Sequence, residues 1–451
     1  MQTITEQTKG TVADKHRPLA WIVSADMGYG HQRAVYPLKD FAYEGVITVG
    51  SMQDITLAEK QLWKRMLGVY EFFSRLSSIP VVGKPLFGLL DSLLFIPSLY
   101  PIRNLSRPNF QLRRLIAGIK GGLCSGMVEK IRTRHLPVIT SFYAPAIAAD
   151  LAGHDDIYCI ICDADLNRVW VAEQPWESRI KYFAPCGKAA QRLRTYGVPD
   201  NHIYITGFPL PEELLGGTQL TVLKKNLARR LVQLDPRQKF MQRHHKSVEY
   251  FLGADLLREK PGQSLTITYA VGGAGAQKEI AMKIAKSLRS KIDAGEVKLN
   301  LVAGIRPEVR DYFIALREKY FSSSPFVEIV YRDSLDEYFP VFNQIMHGTD
   351  ILWTKPSELS FYSGLGIPII MSPAIGSQEQ FNKYWLNDIT AGLKQLDPDH
   401  TNEWLFDYLK KGIIAEAAWS GFLKARKLGT YKIREVLETG SMKQEDSPLL
   451  R

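Results

Sequence analysis

Short apolar runs alternate along the chain with longer amphipathic stretches. In the first half these runs are LAWIVSA, GVITVG, PVITSF, IYCIICD, IKYFAP and HIYITG, and in the second half SLTITYAVGG, KLNLVAG, FVEIVY, DILWTK and IPIIMSP. Apolar runs of this length, separated by helical segments, are typical of buried strands in parallel sheets that helices cover on both faces. The pattern predicts an α/β protein.

Two such series are present, and a highly charged stretch without strand-like runs separates them. This stretch predicts a linker and a helical insertion over residues 211–262. We expect two doubly wound, Rossmann-like domains, 18–210 and 263–403, facing each other across a cleft. A chain of 451 residues is also too long for a single hydrophobic core. Residues 1–17 and 439–451 are expected to be flexible ends.

The net charge of +10 is concentrated in one segment. Residues 57–135 contain 13 Lys or Arg and four Asp or Glu, interleaved with long apolar clusters. A surface that reads bases uses dispersed aromatic and amide groups, so no nucleic-acid partner is expected. The segment fits an anionic membrane surface better, and the run from Pro85 to Tyr100 is too short to span a bilayer. A buried helical hairpin with a basic face is the alternative.

The cysteines and the first residues indicate the compartment. The N-terminal segment MQTITEQTKGTVADKHR lacks the apolar core of a signal peptide, and four cysteines do not form a disulfide framework in a chain of this length. Cys159 and Cys162 lie inside a strand-like run, which favours packing over metal or redox chemistry. We expect a cytoplasmic protein, peripherally associated with the inner face of the membrane, and leave its oligomeric state open.

A glycine-rich turn follows the first strand-like run of the second series. The segment TYAVGGAGAQKEIA places Gly272, Gly273, Ala274 and Gly275 between a strand and a helix. Small residues at such a turn allow backbone N–H groups and a helix N-terminus to approach a phosphate. The segment lacks the Lys-Ser/Thr of a P-loop, so a tight turn without a ligand is the alternative.

Polar residues cluster after the last two strand-like runs. This cluster consists of Lys355, Ser357, Glu358, Ser360, Gln378, Glu379 and Asn382. A nucleotide sugar needs cations for its diphosphate, a carboxylate for ribose, and amide or acid groups for sugar hydroxyls. Each residue type is also common on solvated surfaces, but clustering at the carboxyl ends of successive strands favours a binding site.

The first strand-like run ends in SADMGYGHQRA. Gly28 and Gly30 flank Tyr29 there, and His31 follows where a helix is predicted to begin. An imidazole has a pKa near neutrality and can accept the proton of an attacking hydroxyl. A helix-start or packing role for His31 is the alternative.

Six segments resemble, in order, motifs of the GT-B glycosyltransferases related to monogalactosyldiacylglycerol synthase, processive diacylglycerol glucosyltransferases and the N-acetylglucosaminyltransferase of peptidoglycan's lipid intermediate. The segments are MGYGHQRA, CDADLNRVWV, RLRTYGVPDNHIYITGFPL, VGGAGA, TKPSE and GSQEQFN. The resemblance covers about residues 18–390 and implies the GT-B fold, with helices of 404–438 crossing back to the first domain. The chain departs from it where Tyr29 replaces a glycine and where Ser357 and Glu358 replace two more.

The resemblance also implies roles for individual residues on the acceptor side. His31 would assist deprotonation of the acceptor hydroxyl, and Gly28, Gly30 and Trp170 would belong to the acceptor-side loop. Asp163 or Asp165 of the DAD sequence would orient the base or replace it. DAD also imitates the metal-binding D-x-D of another glycosyltransferase architecture, but the paired strand series argue against that fold, so no metal and no separate cofactor are expected.

On the donor side, the resemblance implies that the glycine turn, Arg306 and Lys355 stabilise the phosphates, while Gln378 and Glu379 hold sugar hydroxyls. The expected activity is inverting, metal-independent transfer of a hexose from a nucleotide sugar to a hydroxyl of a membrane lipid, with a UDP-sugar as the expected donor. A nucleotide-sugar 2-epimerase of the same architecture and a non-catalytic nucleotide-sugar or membrane-binding protein are the alternatives.

Overall fold

The computed structural model describes residues 19–53, 55–76, 96–97, 100–101, 103–258, 260–273, 275–322, 324–374 and 376–443. Within these residues, twelve strands form two parallel six-stranded sheets, one in each half of the chain. The predicted α/β class with two doubly wound, Rossmann-like domains is confirmed. Ala274 and most of the apolar run between Pro85 and Tyr100 lie outside the described residues.

The first sheet contains strands from the first half of the chain. These are β1 (Trp21–Ala25), β2 (Ile47–Val49), β3 (Val138–Thr140), β4 (Ile157–Ile160), β5 (Ile180–Phe183) and β6 (Ile203–Tyr204). Their spatial order is β2-β1-β3-β4-β5-β6. The connections therefore leave β1 and β3 in opposite directions along the sheet, which makes the crevice at the carboxyl ends of this pair a topological switch point.

The second sheet contains β7 (Leu265–Ala270), β8 (Val297–Gly304), β9 (Val327–Tyr331), β10 (Ile351–Thr354), β11 (Ile369–Met371) and β12 (Gly392–Lys394). Its spatial order, β9-β8-β7-β10-β11-β12, is the strand order of dinucleotide-binding Rossmann domains. The switch point lies between β7 and β10. Ligands of open α/β sheets bind outside the carboxyl ends of the strands at such points.

Helices cover both sheets. In the first half they are α1 (Tyr29–Val35), α2 (Leu57–Leu76), α3 (Phe110–Lys120), α4 (Ser125–Arg132), α5 (Tyr143–Leu151) and α6 (Gly187–Thr195). The connecting segment contains α7 (Glu212–Leu215), α8 (Thr221–Leu234) and α9 (Lys239–Leu252). The second half contains α10 (Lys278–Ser287), α11 (Arg289–Asp293), α12 (Pro307–Phe321), α13 (Leu335–Gly348), α14 (Ser377–Asp388), α15 (Thr401–Lys411), α16 (Ile413–Lys424) and α17 (Gly429–Thr439).

The central strands are apolar at successive positions because both faces are covered. All five residues of β1 and all four of β10 are buried. In β1, Trp21 pairs with Val138 of β3, and the indole N–H donates to the carbonyl of Arg134 at 2.9 Å. Continuous apolar runs rather than alternating ones are expected for parallel strands in this position.

The charged connecting segment packs on the second domain. Arg230 of α8 is buried, and its guanidinium donates to the carbonyls of Thr349, Leu365 and Gly366 at 2.9–3.2 Å. The terminal helix α17 returns to the first half, where the Thr430 hydroxyl donates to the carbonyl of Leu210 at 2.6 Å. The Thr430 contact ties the end of the second half back to the end of the first.

The described part of the basic segment 57–135 is anchored by one buried carboxylate. Glu59 accepts hydrogen bonds from the Trp63 indole at 3.2 Å, from the Ser125 hydroxyl at 2.8 Å and from the Gly126 N–H at 2.9 Å. The exposed cations of this segment are Lys60, Lys64, Arg65, Arg103, Arg107, Arg113, Arg114, Lys120, Arg132 and Arg134. Across the residues that the structure describes, a search for helices long and apolar enough to cross a bilayer finds none.

Candidate active site

The imidazole of His31 lies at the switch point of the first sheet. His31 is in α1, which follows β1, and its Nδ1 is 2.7 Å from the carbonyl oxygen of Ser141, directly after β3. A carbonyl oxygen only accepts hydrogen bonds, so Nδ1 carries the proton and Nε2 is left with a free lone pair. Burial lowers the pKa of His31 below 6.5, although the Ser141 carbonyl and the Glu358 carboxylate act to raise it. The ring is therefore neutral at pH 7.

Aromatic rings lie around this imidazole. The His31 ring lies 4.9 Å from the Phe142 ring and 6.1 Å from the Trp170 ring, and Tyr143 packs edge-on against Trp170 at 5.2 Å. Gly28 precedes α1 with a φ of 115°, which an L-residue rarely adopts. Of the residues predicted for the acceptor-side loop, Trp170 contributes to the apolar wall beside His31, and the sequence did not indicate the other two rings, Phe142 and Tyr143.

A buried ion pair joins the two domains beside His31. The guanidinium of Arg33 donates to the Glu358 carboxylate at 3.3 Å, across 325 sequence positions, and the two side chains are only 3% and 11% exposed. A Cβ atom at Gly30 would lie 3.3 Å from the same carboxylate, so Gly30 allows Glu358 to approach α1. Glu358, predicted as a donor ligand, is thus engaged with the first domain.

Four aromatic side chains enclose the Arg33 guanidinium. Its central carbon lies 4.4 Å from the centroid of the Phe342 ring and 4.9 Å from that of Phe339, within the range of cation–π attraction. The hydroxyls of Tyr338 and Tyr362 lie 3.4 and 3.5 Å from its terminal nitrogens. Sequence reasoning missed Arg33, because the spacing of Tyr338, Phe339 and Phe342 in α13 is equally typical of an ordinary core.

The glycine turn lies at the switch point of the second sheet, beside Lys355. The turn follows β7, Lys355 follows β10, and a Cβ atom at Gly272 would lie 2.3 Å from the Lys355 Cε. Gly275, with a φ of 69°, closes the turn by donating its N–H to the Gly272 carbonyl at 2.8 Å. The Arg306 Nε donates to the Gly273 carbonyl at 2.6 Å. Both predicted phosphate-binding cations therefore border this turn.

The lysine side chain also contacts the polar start of α14. The Lys355 Nζ is 2.5 Å from a carboxylate oxygen of Glu379, and both side chains are largely buried. Ser357 and Gln378 lie nearby in the chain and are half-buried. The predicted cation and the predicted sugar-binding carboxylate of the donor side are therefore direct neighbours.

Asn382 connects α14 of the second domain to the DAD sequence of the first domain. Its Nδ2 donates to the Asp163 carboxylate at 2.7 Å, and its Oδ1 accepts the Ala164 N–H at 2.7 Å. Burial, with a smaller contribution from the carboxylates of Glu358 and Glu379, raises the pKa of Asp163 to about 7 against the opposing effects of Asn382 and Lys355. Asp163 is therefore a second group able to exchange a proton near neutral pH.

Asp165, considered in the sequence analysis as another possible base, is part of a structural ion pair. Both of its carboxylate oxygens accept hydrogen bonds from Arg192, at 2.7 and 3.0 Å, and both side chains are fully buried. A bidentate pair of this kind is fixed in orientation. Among the described residues, no group of three or more His, Cys, Asp and Glu side chains has the geometry of a metal site.

No protein-family model and no curated protein sequence matches the chain. A putative UDP-N-acetylglucosamine 2-epimerase from Listeria monocytogenes is 11% identical, with 96% of this chain and 99% of that chain covered and a TM-score of 0.47. UGT2 of Phytolacca americana, complexed with UDP-2fluoro-glucose and pterostilbene, is 13% identical over 94% and 99% of the two chains, with a TM-score of 0.45. MurG from Acinetobacter baumannii is 13% identical over 93% and 99%, with a TM-score of 0.40.

Proposed function

We propose that this protein is an inverting, metal-independent glycosyltransferase that moves a hexose from a UDP-sugar to a hydroxyl of a membrane lipid. One observation carries the proposal. A neutral imidazole with a free Nε2 lies at the switch point of the first sheet, and a glycine turn with two cations lies at the switch point of the second. Contacts between the halves bring these two crevices to opposite sides of one cleft.

The donor would bind to the second domain. The backbone of the glycine turn, Arg306 and Lys355 offer N–H groups and positive charge for a diphosphate. Glu379, Gln378 and Asn382 offer carboxylate and amide groups for sugar hydroxyls. Lys355 and Arg306 would take the part that a metal ion plays in other transferases, because both cations border the glycine turn at which the leaving diphosphate would bind.

The acceptor would bind against the first domain. The Nε2 of His31 would accept the proton of the acceptor hydroxyl as its oxygen attacks the anomeric carbon, and the nucleoside diphosphate would depart from the opposite side. A single displacement of this kind inverts the anomeric centre. Asp163, whose pKa lies near 7, would assist the proton transfer through the same part of the cleft.

The surface next to the aromatic rings around His31 is the evidence for a lipid as the acceptor. Arg168, two residues before Trp170, donates to the Ser106 carbonyl at 2.6 and 2.9 Å, which fixes the basic segment beside the acceptor-side loop. Phe110, four residues after Ser106, is 59% exposed, and the Arg114 guanidinium lies over its ring at 4.9 Å. Exposed rings among cations suit the interface of an anionic bilayer, such as the inner face of a cytoplasmic membrane.

A product assay tests the proposal. The protein is incubated with UDP- and GDP-sugars and extracted membrane lipid, and the lipid products are identified by mass spectrometry, with His31→Ala as the matched inactive control. We expect a hexosylated lipid from a UDP-sugar in the presence of a chelator. Conversion of the sugar nucleotide to its 2-epimer without a lipid product would instead assign an epimerase, and nucleotide binding without either product would assign a binding protein.

A further inference from the structure

Tyr29 replaces a glycine of the glycosyltransferase motif that MGYGHQRA resembles. Its side chain extends from the first domain into the glycine turn of the second. Its ring occupies space that two glycines leave open, since Cβ atoms at Gly273 and Gly304 would lie 3.4 and 2.8 Å from ring carbons of Tyr29. The ring also packs against Tyr338, at 5.7 Å between centroids. Tyr29 is 8% exposed, so this cross-domain position is well defined by packing.

The Tyr29 hydroxyl lies between the carboxyl ends of β7 and β8. Its oxygen accepts the backbone N–H of Ile305 at 3.0 Å, and the Arg306 guanidinium lies within hydrogen-bonding reach of it. The same guanidinium holds the Gly273 carbonyl. The phenol, a backbone amide and a guanidinium therefore converge on the outer side of the glycine turn.

The Tyr29 hydroxyl is protonated and can donate a hydrogen bond. Burial raises the pKa of Tyr29 above 10, so the phenol is neutral at physiological pH. Within the described part of the chain, its hydrogen bonds use the oxygen as acceptor, and no protein oxygen receives its proton. The Ile305 N–H is already donated to the phenol oxygen, so the donors left for a phosphate oxygen are the neutral O–H and the neighbouring arginine, both of which bind phosphates in proteins.

We propose that Tyr29 is a ligand of the donor's diphosphate, supplied by the acceptor domain: its hydroxyl donates to a phosphate oxygen held at the glycine turn. The inference rests on the proposed function, whose donor site it completes. Because His31 is two residues further along α1, binding of the diphosphate to Tyr29 would also hold α1, and with it the catalytic imidazole, against the donor. Donor binding and placement of the base would thus be coupled.

Calorimetric titrations with UDP and with uridine test this role. Tyr29→Phe keeps the ring between Gly273 and Gly304 and removes only the hydroxyl, so UDP should bind about tenfold more weakly, as for one lost hydrogen bond to a charged group. Uridine, which has no phosphate, should bind equally to both proteins. The matched control is Tyr36→Phe, whose ring packs against Phe339 at the same domain interface, at 5.1 Å, but away from the turn.

A second variant distinguishes a Tyr29 that binds the diphosphate from a Tyr29 whose ring blocks the donor site. Tyr29→Gly restores the glycine of the resembling motif and should bind UDP at least as weakly as Tyr29→Phe. Tighter UDP binding by Tyr29→Gly would overturn the inference, because the ring would then block the donor site. Unchanged UDP affinity in Tyr29→Phe would overturn it as well, while leaving the proposed function intact. A wild-type protein that binds neither UDP nor a UDP-sugar would remove the proposed function and this inference together.

Discussion

The two crevices that face each other in this protein have opposite characters. Around His31, on the first domain, the walls are aromatic rings, and one backbone carbonyl fixes a neutral imidazole. Around Lys355, on the second domain, the groups are charged, and Glu379 pairs with the lysine. Under the proposed function, the first crevice would take a neutral hydroxyl that must lose a proton, and the second would take an anionic diphosphate. The same α/β crevice is specialised by the few residues that follow its strands.

The DAD sequence shows the same contrast on a smaller scale. Asp165 is fully buried with both oxygens bound by Arg192, whereas Asp163 faces the cleft, bound by the neutral amide of Asn382. A cation compensates the first carboxylate, while burial raises the pKa of the second to about 7. Two residues of the same type in one short motif thus have a structural and a candidate chemical role.

Removing the imidazole should give the largest effect on activity. His31→Ala is expected to lower turnover by roughly 10²–10⁴-fold, the range for a lost general base, and to leave donor affinity nearly unchanged. Turnover is measured by formation of the glycosylated lipid, and donor affinity by calorimetry. A His31→Ala protein with normal turnover would transfer the role of the base to Asp163, which Asp163→Asn would then test.

Breaking the buried pair between the crevices should have the largest effect on stability. Arg33→Met leaves the Glu358 carboxylate buried without its partner, which typically costs about 3–5 kcal/mol in the free energy of unfolding. Adding Glu358→Gln to Arg33→Met should recover part of that loss.

The exposed pair between Arg179 and Asp155, at 3.1 Å, provides the matched control. Arg179→Met should cost less than about 1 kcal/mol, as for other surface pairs. Equal losses for Arg33→Met and Arg179→Met in urea denaturation would show that the buried pair contributes no more than a surface one.

Changes on the charged side should affect the donor alone. Lys355→Ala and Glu379→Ala are expected to weaken binding of the UDP-sugar by about ten- to a hundredfold, since each removes a charged partner of the ligand. Lys188→Ala breaks another ion pair between the two halves, with Asp388 at 3.6 Å, and should leave donor affinity unchanged. Normal donor binding by both Lys355→Ala and Glu379→Ala would mean that the donor does not occupy this crevice.

Asp163 should make the stability of the protein depend on pH. Its pKa is 3.8 in the unfolded chain and about 7 in the folded one, so the protonated carboxyl stabilises the fold fully below pH 4. This contribution is lost as the pH rises towards 7. The stability advantage of wild type over Asp163→Asn should therefore shrink between pH 4 and 7 in urea denaturation. Parallel stability curves for the two proteins would contradict the raised pKa.

The smallest effect concerns the membrane. Arg113→Gln with Arg114→Gln should weaken flotation with anionic vesicles at low salt, by about 1 kcal/mol for each cation, and the difference should vanish at high salt. The control pair, Lys394→Gln with Lys410→Gln, removes exposed cations of the second half and should leave flotation unchanged. Equal flotation of both double variants would favour the alternative for residues 57–135, a buried helical hairpin whose basic face contacts water and no membrane.

Much of the site could be predicted because its residues follow strands. Apolar runs mark the strands, and the residues just after a strand lie at the carboxyl edge of a parallel sheet. This rule predicted the positions of His31, Lys355 and the glycine turn. In the structure, His31 lies at the first switch point, and Lys355 and the turn lie at the second. The local glycines of the two turns also signalled a close approach of other groups, although not which groups would approach.

The sequence by itself determined the two α/β domains and the strand ends that carry polar groups, because local periodicity marks the strands. Only the tertiary structure decided that Arg33 meets Glu358, that Asp163 rather than Asp165 faces the cleft, and that Tyr29 enters the second domain. These partners are far apart along the chain. No local sequence pattern encodes these contacts, since they depend on how the two domains pack against each other.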